Sequence, residues 1–355
     1  MFCRRFLPAT ATLAALLSAP GALTQQTAAP DSSAPPPATK PEWTKIPVQP
    51  ASATPAPSVS NFSEIKIPNF TSCSIADLEH AVPELTHLKP ESDQSQLTAL
   101  LDKIGVEVVQ IANKTPNLIS HEEVLTVRGG IKSRQDFSFL VLQHATRSLG
   151  RVFDEYRVDV RTGENFQTDM VEKATTADSS ADPTSLPALT TASQSVAHSE
   201  DGPSSQGFVN DWLNFHPSNR KQSEFRYLGK QKIDRHWTVV VAFAQKPGRV
   251  PLPSKVYFDR SLFQVFMQGV AWVDPVDFKI LRLRMEILAP PPGVPLGQLT
   301  SDVHFAETRI ADLPSPLWLP REVVVISNLY GDVLRETHTY SNYRLFRTRS
   351  KLVLK

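Results

Sequence analysis

The spacing of apolar positions along the chain changes period once. Leu97, Leu100, Leu101, Ile104, Val108 and Ile111 recur at three- and four-residue steps and predict an amphipathic helix over residues 93–112. Before it, Ser74 stands as an N-cap for a short helix carrying Leu78, Val82 and Leu85, and Pro83 limits its length. From Asn117 onward the period falls to two. Runs 124–128, 137–143 and 152–161 are enriched in β-branched and aromatic residues and predict strands. A short helix over 207–215, ended by His216-Pro217, is followed by strand after strand: 224–228, 237–245, 263–273, 278–288, 299–310, 321–328 and 333–347. Leu281, Leu283, Met285 and Ile287 alternate with Arg282, Arg284 and Glu286, so one face is buried and the other wetted. Asp274-Pro275-Val276-Asp277 and Tyr330-Gly331-Asp332 are turn chemistry, which makes neighbouring strands antiparallel. No strand–helix–strand alternation occurs, which argues against a nucleotide-binding α/β fold.

Three stretches fall outside this periodicity. Residues 1–24 read as a secretory signal peptide, with Arg4 and Arg5 before an uncharged run and small residues near Thr24. Pro8, Pro20 and Gly21 keep the apolar run short of a membrane span, and none is expected after cleavage. Residues 25–60 hold nine of the chain's 30 prolines among Ala, Ser and Thr, and predict a disordered, extended spacer. Residues 174–206 contain no aromatic, Lys or Arg and predict a disordered surface insertion. The remainder of 61–355 is expected to form a single α+β domain. The expected compartment is periplasmic or secreted.

Charge and chemistry narrow the function by exclusion. With 37 Lys+Arg against 36 Asp+Glu, the net charge of +1 supplies no field for nucleic acid, and no such partner is expected. Of two cysteines, signal cleavage removes Cys3 and leaves Cys73 as a lone thiol, read as buried and inert. Nucleophile-elbow, phosphate-loop, zincin and C-x-x-C motifs are absent, and neither a metal nor a cofactor is expected. His80 and His87 read as solvated, and His121-Glu122-Glu123 lies on a strand, where adjacent side chains diverge. Asp154, Glu155 and Asp159 interleave with Arg151, Arg157 and Arg161 and predict an exposed charged strand face. Aromatics gather in the strand-rich half. They form either an ordinary core or the wall of an apolar cavity, with Phe266, Met267, Trp272 and Met285 as its candidate ligand-binding residues.

The segment Gly269-Val-Ala-Trp-Val-Asp-Pro-Val-Asp-Phe-Lys-Ile-Leu-Arg-Leu283 resembles the central hairpin of outer-membrane lipoprotein-sorting proteins of the LolA/LolB-like fold. Leu317-Trp-Leu-Pro320 and Tyr340-Ser-Asn-Tyr343 with Phe346 are also similar to that family, and the likeness spans residues 226–347. It implies a large curved antiparallel sheet, a half-barrel, with a few helices covering one face. It further implies a non-enzymatic protein that shields an acyl chain, lipid or lipoprotein in that cavity. Two alternatives stay open: a structural or partner-binding envelope module with a filled core, and an unrecognised hydrolase. The last requires His, an acid and Ser to be brought together by folding.

Overall fold

The computed structural model describes residues 67–146, 150–163, 195–197, 205–250, 254–258 and 261–346. The chain divides into Met1–Ser58 and Val59–Lys355, and every described residue belongs to the second unit. The signal peptide, the spacer and most of 174–206 lie outside the described residues.

The first elements are α1 (Ile75–Ala81), the 3₁₀ turn η1 (Pro83–Leu85), the two-residue strand β1 (Lys89–Pro90) and α2 (Leu97–Lys114). Ser74 caps α1 as expected, its Oγ accepting the Asp77 N–H at 3.1 Å. The helix α2 begins four residues later than its periodicity suggested, because Asp93 Oδ1 accepts the Ser95 N–H in a local turn ahead of it. Its stripe Leu100, Leu101, Ile104, Val108 and Ile111 is buried.

Three long strands follow: β2 (Leu118–Arg128), β3 (Ile131–Thr146) and β4 (Gly150–Asp159). Two short ones, β5 (Ser195–Ala197) and β6 (Ser205–Gln206), precede the 3₁₀ helix η2 (Phe208–Phe215) and the turn η3 (Arg220–Gln222). Then come β7 (Ser223–Ile233), β8 (His236–Gln245), β9 (Ser254–Phe258), β10 (Ser261–Val265), β11 (Met267–Val273), β12 (Ile280–Ile287), β13 (Leu296–Thr308), β14 (Leu317–Leu329) and β15 (Asp332–Leu345). Eleven of these strands form one open antiparallel sheet in the order β1-β7-β8-β11-β12-β13-β14-β15-β2-β3-β4. The architecture is the α+β half-barrel that the sequence predicts. A second, four-stranded sheet runs β10-β9-β5-β6. The run 263–273, expected as one strand, is therefore divided: β10 pairs with β9, β11 pairs with β8 and β12, and Phe266 sits between them.

Both faces of the sheet centre are covered, which explains why β8 and β11 are buried almost without alternation. Strand side chains alternate between faces. Val241, Phe243, Met267 and Ala271 point inward to a core shared with α2 and η2. Val240, Ala242, Val270 and Trp272 point outward to a smaller core with Phe70, Leu78, Val82 and Leu85 of the N-terminal arm. The arm is held by polar contacts as well. Gln231 Nε2 donates to Glu84 O (2.7 Å) and Thr86 O (3.0 Å), Arg284 reaches Glu84, and Arg226 reaches Cys73 O. At the β7 bulge Gly229 adopts φ +130°, and a Cβ there would collide with the Lys89 carbonyl to which the arm pairs.

Candidate functional site

The inner face carries two distinct zones. The first is a shallow cleft between α2 and the ends of β12, β13 and β14, with a volume of about 10 Å³, room for about one water molecule. Val108 and Ile111 come from α2, Trp212 from η2, and Ile280, Phe305 and Trp318 from the strands; Glu107 is the one charged lining residue. Phe278 closes the end of the cleft from the β11–β12 turn. The turn is built by Asp274, whose Oδ1 accepts the N–H groups of Val276 (2.7 Å) and Asp277 (3.2 Å). This geometry forces Phe278 to φ +60°, a left-handed conformation that costs a bulky residue of order 1 kcal/mol. Lys103 Nζ lies 4.7 Å from the Phe278 ring centroid and Lys279 Nζ lies 5.4 Å from that of Trp318, so two cations cover the rim aromatics. Trp318 is fixed in plane by its Nε1–H donating to Ile280 O at 2.8 Å.

The second zone is a buried ionic cluster at the other end of the inner face. Glu122 from β2, Glu155 and Arg157 from β4, and Glu336 and His338 from β15 all face inward and are almost inaccessible to solvent. Arg157 donates from Nε and Nη2 to the two carboxylate oxygens of Glu122, at 2.5 and 2.8 Å, and from Nη1 to Ser205 O at 2.7 Å. His338 Nδ1 lies 2.9 Å from Glu122 Oε1, and its Nε2 lies 3.2 Å from Ser205 Oγ. Glu155 accepts the N–H groups of Gly207 (2.8 Å) and Val209 (2.7 Å). Burial by itself would raise the Glu122 pKa, but the charge of Arg157 and the His338 hydrogen bond outweigh it and bring it down to about 2. Burial by itself would lower the His338 pKa; hydrogen bonds to Glu122 and Glu336 outweigh that and raise it. Glu155 is pushed up, burial outweighing the charge of Arg157 and its backbone donors.

Ser205, His338 and Glu122 thus meet the distances of a nucleophile, base and acid, the one constellation that hydrolysis requires. Their charges do not suit that role. His338 stands between two carboxylates, whose hydrogen bonds raise its pKa and so favour the protonated ring, the form that does not act as a base. The Ser205 hydroxyl donates its hydrogen bond to Glu336 Oε2 at 2.5 Å. The cluster is a clasp: it ties the segment entering η2 to three strands of the sheet.

The four sequence candidates are not brought together. Met267 and Met285 are fully buried in the inner core, Met285 Sδ lying 3.5 Å from Asn214 Nδ2 of η2. Trp272 is fully buried on the opposite face, where its Nε1–H donates to Gln231 Oε1 at 2.7 Å and Arg282 stacks on its ring at 4.9 Å. Phe266 is half-buried at the junction of the two sheets. The sequence did not bring either group together: Phe278, Ile280 and Trp318 entered only within the family-like motifs, and Glu122, Glu155 and Arg157 were expected to diverge or to lie exposed. Strand parity carried the signal for the cluster, since Leu118, Ser120, Glu122 and Val124 share one face of β2. The expectation of an exposed charged face on β4 is corrected: Glu155 and Arg157 fall on the parity of Phe153, which faces the core. His121 and Glu123 do point away from Glu122, pairing instead with Asp136 and Arg134. His80 and His87 are exposed. Cys73 is half-buried, which raises its thiol pKa.

No family model matches the chain, and no curated protein matches it. Among solved structures it is similar to a DUF1329 family protein from Desulfovibrio piger, at 12% identity and TM-score 0.38, covering 71% of this chain and 94% of that one. It is also similar to an outer-membrane lipoprotein-sorting protein domain from Vibrio parahaemolyticus, at 11% identity and TM-score 0.37, covering 69% and 91%. A LolA-superfamily protein from Nitrosomonas europaea aligns at 11% identity and TM-score 0.31, covering 71% and 94%. Among the described residues no helix is long and apolar enough to cross a membrane.

Proposed function

We propose that the protein is a non-enzymatic periplasmic or secreted binding protein that takes up an apolar chain, from an acyl lipid or lipoprotein, at the inner face of its half-barrel. The carrying observation is the cleft at Phe278. A strained aromatic residue, two lysines stacked on rim aromatics and an almost wholly apolar lining converge at this cleft on the inner core. Residues 1–24 would direct the chain to that compartment and 25–60 would tether the domain at a distance from its neighbours.

Native mass spectrometry of protein recovered from its bacterial envelope should show a bound lipid, and the delipidated protein should take up one equivalent of the fluorescent fatty acid cis-parinarate. Trp318→Ala should weaken uptake about tenfold, the order expected for one aromatic anchor. A lipid-free native protein together with no parinarate uptake refutes this function.

A second function is favoured by the size of the cleft. Its volume of about 10 Å³ lies far below the ~300–1,000 Å³ of ordinary small-molecule sites, as a partner-binding envelope module with a filled core would have it. Recovery with a stoichiometric envelope protein and without lipid would decide for that alternative.

A further inference from the structure

The N-terminal arm covers part of the outer face of the sheet, and one buried carboxyl lies at its start. Glu286 of β12 is only 8% exposed. It stands opposite Gln268 of β11 and Thr300 of β13, on the same parity as Arg284. A single amide joins it to the arm. Gln268 Nε2 donates to Glu286 Oε1 (3.2 Å) and to Pro68 O (2.9 Å), while Gln268 Oε1 accepts the Phe70 N–H (3.0 Å). The neighbouring cation is spent on the arm as well. Arg284 Nη1 donates to both oxygens of Glu84, at 2.7 and 2.9 Å, and its Nη2 donates to Ala81 O at 3.2 Å.

The other charges on this face are matched elsewhere. Arg282 Nε donates to Asp302 at 2.8 Å, Arg282 Nη2 lies 3.3 Å from Glu84, and His304 lies 3.6 Å from Asp302. On β7, Glu224 pairs with Lys246 at 3.8 Å and Arg226 donates to Cys73 O at 2.6 Å. Thr300 of β13 and Ala244 of β8, which flank the Gln268–Glu286 pair, carry no charge. The seated arm therefore sets two penalties on an ionised Glu286: burial, and the like charge of Glu84. Arg284 offsets part of them, and the carboxyl titrates at about 7. Arg284 Nε is buried without a partner, so an ionised Glu286 competes with Glu84 for one guanidinium. Linkage makes the relation reciprocal: an arm that disfavours ionisation is itself disfavoured by ionisation. The arm can leave without opening the sheet, because its ladder contact is the two residues of β1.

We propose that the arm segment 67–85 is a proton-dependent strap: a neutral Glu286 leaves Arg284 to Glu84 and the strap stays down, and an ionised Glu286 lifts it from the outer face. Lifting bares Val240, Ala242, Val270 and Trp272, an apolar surface that the strap otherwise covers. The device belongs to the outer face and does not depend on the apolar-chain function of the inner one.

The test is hydrogen exchange on the full-length protein at about pH 5.5 and about pH 8, with rates expressed as protection factors so that the intrinsic effect of pH cancels. Protection in peptides covering 67–85 should fall about 30-fold at the higher pH, the ratio for a carboxyl that titrates at about 7 when covered and near 4.5 when wetted. Strands β13, β14 and β15 should keep their protection. Glu286→Gln should hold the strap equally well at both values. Equal protection of the wild-type strap at the two values overturns the inference, and so does a loss shared with β13–β15, which reports opening of the whole domain. A wild-type loss that persists in Glu286→Gln assigns the switch to another group and overturns it too. The wild-type comparison does not depend on the variant folding.

Discussion

Arg157→Met gives the most direct test of the buried clasp. The substitution keeps the length and much of the apolar stem of the side chain while removing its charge and donors. It strips Glu122 of two hydrogen bonds, at 2.5 and 2.8 Å, and leaves Ser205 O without its 2.7 Å donor. Glu122 is wholly buried, so its carboxylate keeps only His338 as a counter-charge. Breaking a buried pair from one side costs about 3–5 kcal/mol, most of it the desolvation of the charge left behind. Equilibrium unfolding in urea, followed by tryptophan fluorescence, should show the unfolding free energy falling by that amount, as a lower midpoint with the slope unchanged. The double variant Arg157→Met/Glu122→Gln should be less destabilised than the sum of the singles by more than about 1 kcal/mol, since no bare charge remains. A loss below about 1 kcal/mol for Arg157→Met, or strict additivity in the double variant, would refute the assignment of these residues as a coupled clasp.

Other outcomes follow from the same geometry. Glu286 is buried beside Gln268 on the outer face, and burial, partly offset by Arg284, pushes its pKa up to about 7. With the folded value above the unfolded one, its contribution is most favourable below about pH 4.5 and is lost as pH rises through 7. Glu286→Gln should therefore gain on the wild type by ~3 kcal/mol between pH 5 and pH 8 in urea titrations, and a pH-independent difference would sink the assignment. Glu122 behaves oppositely: its stabilisation is present above about pH 4.5 and fades as pH falls towards 2, so Glu122→Gln should flatten the acid limb of the stability profile. Gly229→Ala should loosen the N-terminal arm, read as faster proteolysis before Lys89; unchanged cleavage would show that the close approach of Lys89 O is dispensable. Ser205 should resist a fluorophosphonate probe, and stoichiometric labelling would restore the hydrolase alternative.

The sequence made legible what depends on period alone. The stripe of α2, the Ser74 cap and the antiparallel strand series from 224 onward follow from spacing and turn chemistry. What it concealed depends on layers. Trp272 and Met267 lie five residues apart in one strand, so parity alone would have placed them on opposite faces. Only the arm packed on the outer face gives Trp272 a core of its own. Arg157 looked solvated because strand β4 is rich in charge, yet the inward charges neutralise one another across three strands that are distant in sequence. The cleft was hidden for a similar reason. Phe278 gains its position from a turn that bends against residue preference, which no hydrophobic pattern records.

An open sheet of eleven strands ends in two rims of peptide groups, each a template for strands of other molecules. Both rims are blunted here. One ends at Lys89–Pro90, a strand too short to extend, whose proline has no N–H to offer. At the other, the Asn210 amide stands in for a neighbouring backbone, giving Phe153 one donor and one acceptor in the place where a twelfth strand would begin. A single side chain thereby covers one donor and one acceptor of that rim. Drawing Asn210 away from β4 would bare the Phe153 N–H and C=O as an open pairing site on an edge strand.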